Sequence, residues 1–198
     1  EILVASTTLI VVPFTLVNHW IHQIQLHVKE GLLKYKSIAP LNNNNNDNNN
    51  NANGSDSHEI PMPSTLRQYD IIITTFQQLS YEWRKHKGKS NLLKTHWLRV
   101  ILDEGHELGK SVQLTNRLQL CCMLKCDRRW IMTGTPTPKS AISYRQKNDA
   151  NNNNTKYGSG EIKYLQPLLR FLRIEPFNLS RISNSVYKRL ISDPYEHG

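Results

Sequence analysis

Trp97-Leu98-Arg99-Val100-Ile101-Leu102-Asp103-Glu104-Gly105-His106 is a mostly apolar, partly β-branched run that stops on two adjacent carboxylates. Such a run predicts a strand buried on both faces, the kind found in the middle of a parallel sheet. Ligands of these sheets sit outside the carboxyl ends of the strands, where Asp103 and Glu104 should project. Two neighbouring carboxylates repel each other, so a cation is their natural partner. An oxygen-only site suits magnesium, which takes one or two carboxylates plus substrate phosphates. A strand ending in a solvated acidic turn would read the same way, so the flanking sequence has to decide.

Upstream, Thr7 to Val12 reads as a strand stopped by Pro13. Thr15 can cap a helix whose apolar residues Leu16, Trp20, Ile21, Ile24 and Val28 keep helical spacing, with Gly31 as its end. Leu33 to Ile38 alternates enough for a second strand. Asp70 to Thr74 carries three isoleucines in a row and reads as a further buried strand, with Thr74 and Thr75 at its carboxyl end. A helix follows from Phe76 and ends in the basic run Arg84-Lys85-His86-Lys87-Gly88-Lys89, which suits either a solvated helix end or a phosphate contact. Downstream, Leu114 to Leu124 reads as a helix and Arg128 to Met132 as a strand. That strand brings Thr133-Gly134-Thr135-Pro136 to the same edge as Asp103, with Gly134 permitting a tight turn. Within Ile162 to Leu172, Pro167 would begin or kink any helix. Val186, Leu190 and Ile191 suggest a last short one. Strands alternating with helices predict an α/β fold with a mainly parallel sheet.

One segment misleads. Gly109-Lys110-Ser111 looks like the end of a phosphate-binding P-loop, but the glycine required five residues before Gly109 is Glu104. The segment also follows the acidic pair, whereas a P-loop belongs to the first strand-helix unit.

The segments Thr8–Pro13, Tyr69–Phe76, Val100–His106 and Arg129–Pro136 resemble, in that order, motifs Ia, Ib, II (the DExH box, here Asp-Glu-Gly-His) and III of the first motor lobe of Swi/Snf-like ATPases. These form a branch of helicase superfamily two. The resemblance covers residues 6–195 outside two asparagine-rich inserts. Gly105 to Gly109 and Thr135 to Pro138 further resemble the postreplication-repair branch and its F-box-bearing plant members.

The resemblance implies a RecA-like sheet flanked by helices, with ATP and magnesium as cofactors. Asp103 would hold magnesium, through water, and Glu104 would orient or deprotonate the attacking water. His106 would sense the γ-phosphate and relay its presence through Thr133, Gly134 and Thr135. Pro13, Phe14 and Thr15, after motif Ia, and Thr74 and Thr75, in motif Ib, would contact the DNA backbone. Double-stranded DNA, bound without regard to sequence, is the implied partner, with chromatin or ubiquitin-pathway proteins beside it in the nucleus. The family P-loop precedes motif Ia. The expectation is therefore an incomplete first lobe lacking the P-loop strand, part of an ATP-dependent translocase acting in chromatin remodelling or DNA repair, and inactive alone. The alternative is an ATPase-silent module that binds DNA or protein.

Composition agrees with a polyanion partner. Among 198 residues, 25 basic and 16 acidic side chains leave a net charge of +9. No apolar run approaches the ~20 residues of a membrane span, and the first residues lack the basic stretch of a secretory signal. Cys121, Cys122 and Cys126 lie in an apolar helical pattern and read as free packed thiols, since structural zinc needs four ligands at loop-type spacing. Residues 42–58 and 148–160, rich in asparagine, hold too little apolar surface to offset their ordering entropy and read as disordered inserts.

Overall fold

The computed structural model describes residues 2–39, 59–108, 114–134, 165–177 and 188–192. The asparagine-rich inserts, Gly109-Lys110-Ser111, Thr135, Pro136 and Val186 lie outside the described residues.

Six strands, β1 (Leu3–Val4), β2 (Thr8–Val12), β3 (Tyr35–Ser37), β4 (Ile71–Thr75), β5 (Thr95–Asp103) and β6 (Lys125–Met132), form one sheet in which every pairing is parallel. Arg99 of β5 pairs with Thr8 on one side and Arg128 on the other. His96 likewise pairs with Val4 and Lys125. The spatial order is therefore β6, β5, β2, β4, β3, with β1 extending the β2 side. Parallel strands need crossovers. Here these include the helices α1 (Val17–His27), α2 (Pro63–Leu66), α3 (Phe76–His86) and α4 (Asn116–Met123), and α5 (Leu165–Leu172) follows β6.

The strand interiors explain the layering. All five residues of β2 are buried. Ile10, Val12 and Ile73 cluster with Val17 and Ile24 of α1 on one face. Leu9, Val11, Ile72, Val100 and Leu102 cluster with Phe76 and Leu79 of α3, Leu118 and Leu120 of α4, and Phe171 of α5 on the other. At about 1.5–3 kcal/mol for each fully buried large apolar side chain, these central strands hold the sheet against chain entropy. Trp97 is fully buried, and its indole N–H donates to Leu92 O at 3.0 Å, so its one polar atom is satisfied.

Several local expectations need correcting. Thr15 caps nothing. A 3₁₀ turn at Phe14–Leu16 feeds α1 directly, Leu16 N donates to Pro13 O, and the cap position, Leu16, has no side-chain bond. Gly31 does not end α1; the helix stops at His27 because Val28 is extended, and Gly31 supplies a left-handed turn (φ 83°) three residues later. β6 begins at Lys125, so Cys126 is on a strand rather than a helix. Burial pushes the Cys122 thiol up to about 11, and burial raises those of Cys121 and Cys126 as well. No metal-binding group of these side chains exists among the described residues. Pro167 stands in the first turn of α5, as a helix start allows.

Candidate functional site

The register puts the ends of β2, β4, β5 and β6 on one edge. Val12 is level with Thr75, Val11 with Leu102, and Asp103 with Met132. Asp103 closes β5 and points to the α1 side, opposite Leu102. Its Oδ2 accepts the Trp20 indole N–H at 2.7 Å, and its Oδ1 accepts the Glu104 backbone N–H at 2.9 Å.

Glu104 then takes φ 50°, a left-handed conformation costly for a residue with a Cβ. Strain of this kind is held where surrounding contacts over-determine it. The chain next forms a 3₁₀ turn, Gly105–Leu108. Gly105 explains why the turn can lie so close to β6. A Cβ there would stand 2.4 Å from Ile131 Cγ2, so any side chain would force the turn off the strand.

The turn brings His106 back over the strand end. Its Nδ1 lies 3.0 Å from Glu104 Oε2 and 3.2 Å from Thr133 Oγ1. With the proton on Nδ1, the ring donates to the carboxylate and bridges β5 to the end of β6. Glu107, 4.0 Å from His106 Nε2, receives Arg117 at 3.1 Å, which ties the turn to α4. Asp103, Glu104, His106 and Thr133 thus form one connected group, half-buried at the sheet edge. Gly134 lies beside it, exposed. It is not left-handed, a Cβ there would meet nothing within 4 Å among the described residues, and the residues that would complete its expected turn lie outside them.

Oxygen donors at this edge fit magnesium. Asp103 is a hard ligand whose two oxygens each accept one bond and keep a lone pair, and Glu104 stands beside it. This is a one- or two-carboxylate site awaiting further oxygens, as magnesium sites usually are, and not a closed protein cage.

The two segments proposed for DNA differ. Pro13 and Phe14 are half-buried and Thr15 is exposed, just past β2 on this edge. Thr74 and Thr75 are fully buried. Thr75 Oγ1 accepts from Gln78 N at 3.1 Å as the cap of α3, and Thr74 Oγ1 has no partner among the described residues. Neither hydroxyl reaches the surface in this structure.

Two residues that sequence reasoning passed over belong to this group: Trp20, read only as part of an apolar helix face, and Gly105, read only as a letter in the acidic motif. An indole seeks a partner when partly buried, so Trp20 carried a detectable signal, though not the identity of its acceptor.

Beyond the site, β6 pairs only with β5 among the described residues. On the Asp103 side, α1 covers β2 and β4 but leaves Trp130 54% and Met132 44% exposed. No helix among the described residues is long and apolar enough to cross a membrane.

Comparison with known proteins agrees with this fold. The profile of the SNF2-related domain matches residues 4–198. An F-box protein of Arabidopsis thaliana is 40% identical over 173 residues, covering 87% of this chain and 10% of its own length. The human Helicase-like transcription factor is 32% identical over 193 residues, 97% of this chain and 15% of the relative. The DNA repair protein RAD5A of Arabidopsis thaliana is 28% identical over 197 residues, 96% of this chain and 14% of the relative. The chain thus spans only a small part of each of these curated relatives. In three dimensions it resembles the Sulfolobus solfataricus SWI2/SNF2 ATPase core in complex with dsDNA, with TM-score 0.58 and 18% identity over 98% of this chain and 30% of that one. That likeness supports a RecA-like parallel sheet.

Proposed function

The chain belongs to the SNF2-related family, and on that premise we propose that it is part of an ATP-dependent motor that moves on double-stranded DNA. The observation that carries this is the connected group Asp103, Glu104, His106 and Thr133 at the sheet edge, with the Pro13–Thr15 segment on the same edge. Phosphoryl transfer asks mainly for positioning and neutralisation of charge. Magnesium, held by Asp103 through water, would supply that neutralisation. Glu104, fixed by its strained backbone and by His106, orients or deprotonates the attacking water. His106 senses the γ-phosphate and passes its presence to Thr133 and on to Gly134 and Thr135, at the end of β6.

The DNA backbone is proposed to run over Pro13, Phe14 and Thr15. At the end of β4, a phosphate would meet the backbone N–H groups that open α3 instead of the two buried threonine hydroxyls. We place the phosphate-binding loop of the complete motor outside this chain, on a further strand beside the open edge of β6. That placement would also cover Trp130 and Met132. The chain alone is then silent as an ATPase and binds DNA weakly through its positive excess. The similarity to the F-box protein, to the Helicase-like transcription factor and to RAD5A supports membership of the repair branch, a nuclear setting, and chromatin or ubiquitin-pathway partners.

The test is a pair of substitutions in the full-length protein. Glu104→Gln should lower single-turnover hydrolysis by at least ~10²-fold, a typical base contribution, and leave nucleotide affinity unchanged. Asp103→Asn should also weaken the magnesium-dependent part of ATP binding. Unaltered hydrolysis in Glu104→Gln would remove the motor reading and leave a DNA- or protein-binding module.

A further inference from the structure

We propose that Trp20 is a positioning residue for the Asp103 carboxylate, joining the segment after β2 to the metal-facing end of β5. The inference rests on the magnesium role given to Asp103 above. The indole N–H donates to Asp103 Oδ2 at 2.7 Å across 83 residues of sequence, while Oδ1 is held by the Glu104 N–H. One donor on each oxygen fixes the plane of the carboxylate and leaves one lone pair per oxygen for a metal-bound water. Such outer partners orient a ligand before the metal arrives.

Packing makes the donor rigid. The Trp20 ring lies against the apolar cluster of Ile10, Val12, Val17 and Ile73, so it cannot swing away as a lysine could. The fully buried indole, Trp97, satisfies itself on a backbone carbonyl inside the core. Trp20 instead spends its N–H on a carboxylate at the functional edge. Its helix continues from the 3₁₀ turn Phe14–Leu16, so any shift of the Pro13–Leu16 segment moves the donor. Contact of DNA with that segment thereby reaches the metal carboxylate through a single side chain.

Trp20→Phe in the full-length protein keeps most of the ring and removes the N–H. ATP affinity should then require about tenfold more magnesium for its half-maximal gain, the usual cost of losing an outer partner. Affinity without magnesium and the thermal midpoint should stay as in the wild type. An unchanged magnesium requirement would reduce Trp20 to packing and overturn the proposal. If Trp20→Phe lowers the thermal midpoint, the wild-type indole proton answers instead. Its magnetic resonance signal should move on Asp103→Ala, and an unmoved signal overturns the proposal as well. A wild-type protein whose ATP affinity ignores magnesium would defeat the motor reading itself, an outcome distinct from a wild-type response that Trp20→Phe leaves intact.

Discussion

β4 and β5 both end in a polar pair, Thr74–Thr75 and Asp103–Glu104, on the same edge of the same parallel sheet. One pair is sealed and the other is open. After Thr75 the chain enters α3 at once, and the helix consumes the Thr75 hydroxyl as its cap. After Asp103 the chain turns left-handed at Glu104 and folds back in a 3₁₀ turn, which holds two carboxylates and an imidazole half-exposed. The availability of a residue at a strand end is thus set by the backbone that follows it. A helix that begins immediately turns polar side chains into structure; a strained turn keeps them for a ligand.

The comparison is broken most severely at Gly105. Alanine there puts a Cβ 2.4 Å from Ile131 Cγ2, a branch methyl on a strand that cannot swing aside. Overpacking of this kind typically costs about 1–3 kcal/mol, so a denaturant midpoint should fall accordingly. Ile131→Ala in the same chain removes the opposing methyl and should recover part of the loss. A pair that behaves additively would show that the turn does not rest on β6. No comparable effect is expected from a small side chain at Gly134, where a Cβ meets open space.

These two glycines mark the boundary of what the sequence discloses. The central strands are legible because β-branched runs such as Ile10 to Val12 and Ile71 to Ile73 have few other uses in a chain of this composition. The acidic pair is legible for the same reason, as the abrupt end of such a run. The residues that aim it are not, because their partners are distant. Trp20 meets Asp103 across 83 positions, and Gly105 meets Ile131 across the gap between two strands. β6 hides its start because its exposed positions carry Lys125, Asp127 and Arg128, a composition that masks a strand. Thr15 and Gly31 hold residue types suited to caps, but Pro13 and Val28 decide the backbone first.

Thr75 sharpens the comparison at smaller scale. Thr75→Ala removes the acceptor for Gln78 N at the start of α3. Losses of such caps cost about 0.5–2 kcal/mol. Thr75→Ser keeps the oxygen and should recover most of it. In a full-length motor neither change should alter duplex affinity, because the hydroxyl is buried and already accepts from Gln78 N. A fall in duplex affinity at equal stability would reopen the phosphate reading of this strand end.

The smallest effect belongs to Thr74. Its hydroxyl is fully buried and has no hydrogen-bond partner among the described residues. A buried hydroxyl left unpaired forfeits its solvation, a penalty of about 1–3 kcal/mol. Valine has the same branched shape and carries a methyl in place of that oxygen. Replacing an unsatisfied polar group by an apolar one of equal shape is nearly neutral or stabilising. The usual objection to exchanging threonine and valine is the loss of a bonded hydroxyl, and it does not apply to one without a partner. Thr74→Val should therefore leave the unfolding free energy unchanged or raise it by up to about 1 kcal/mol, with duplex-DNA affinity and its salt dependence as in the wild type. The matched substitution at the open strand end, Asp103→Asn, should change magnesium-dependent nucleotide binding. A destabilised Thr74→Val protein would mean that the hydroxyl is bonded in solution. Weakened DNA binding at equal stability would mean that the end of β4 opens to meet a phosphate, and the difference between the two strand ends would disappear.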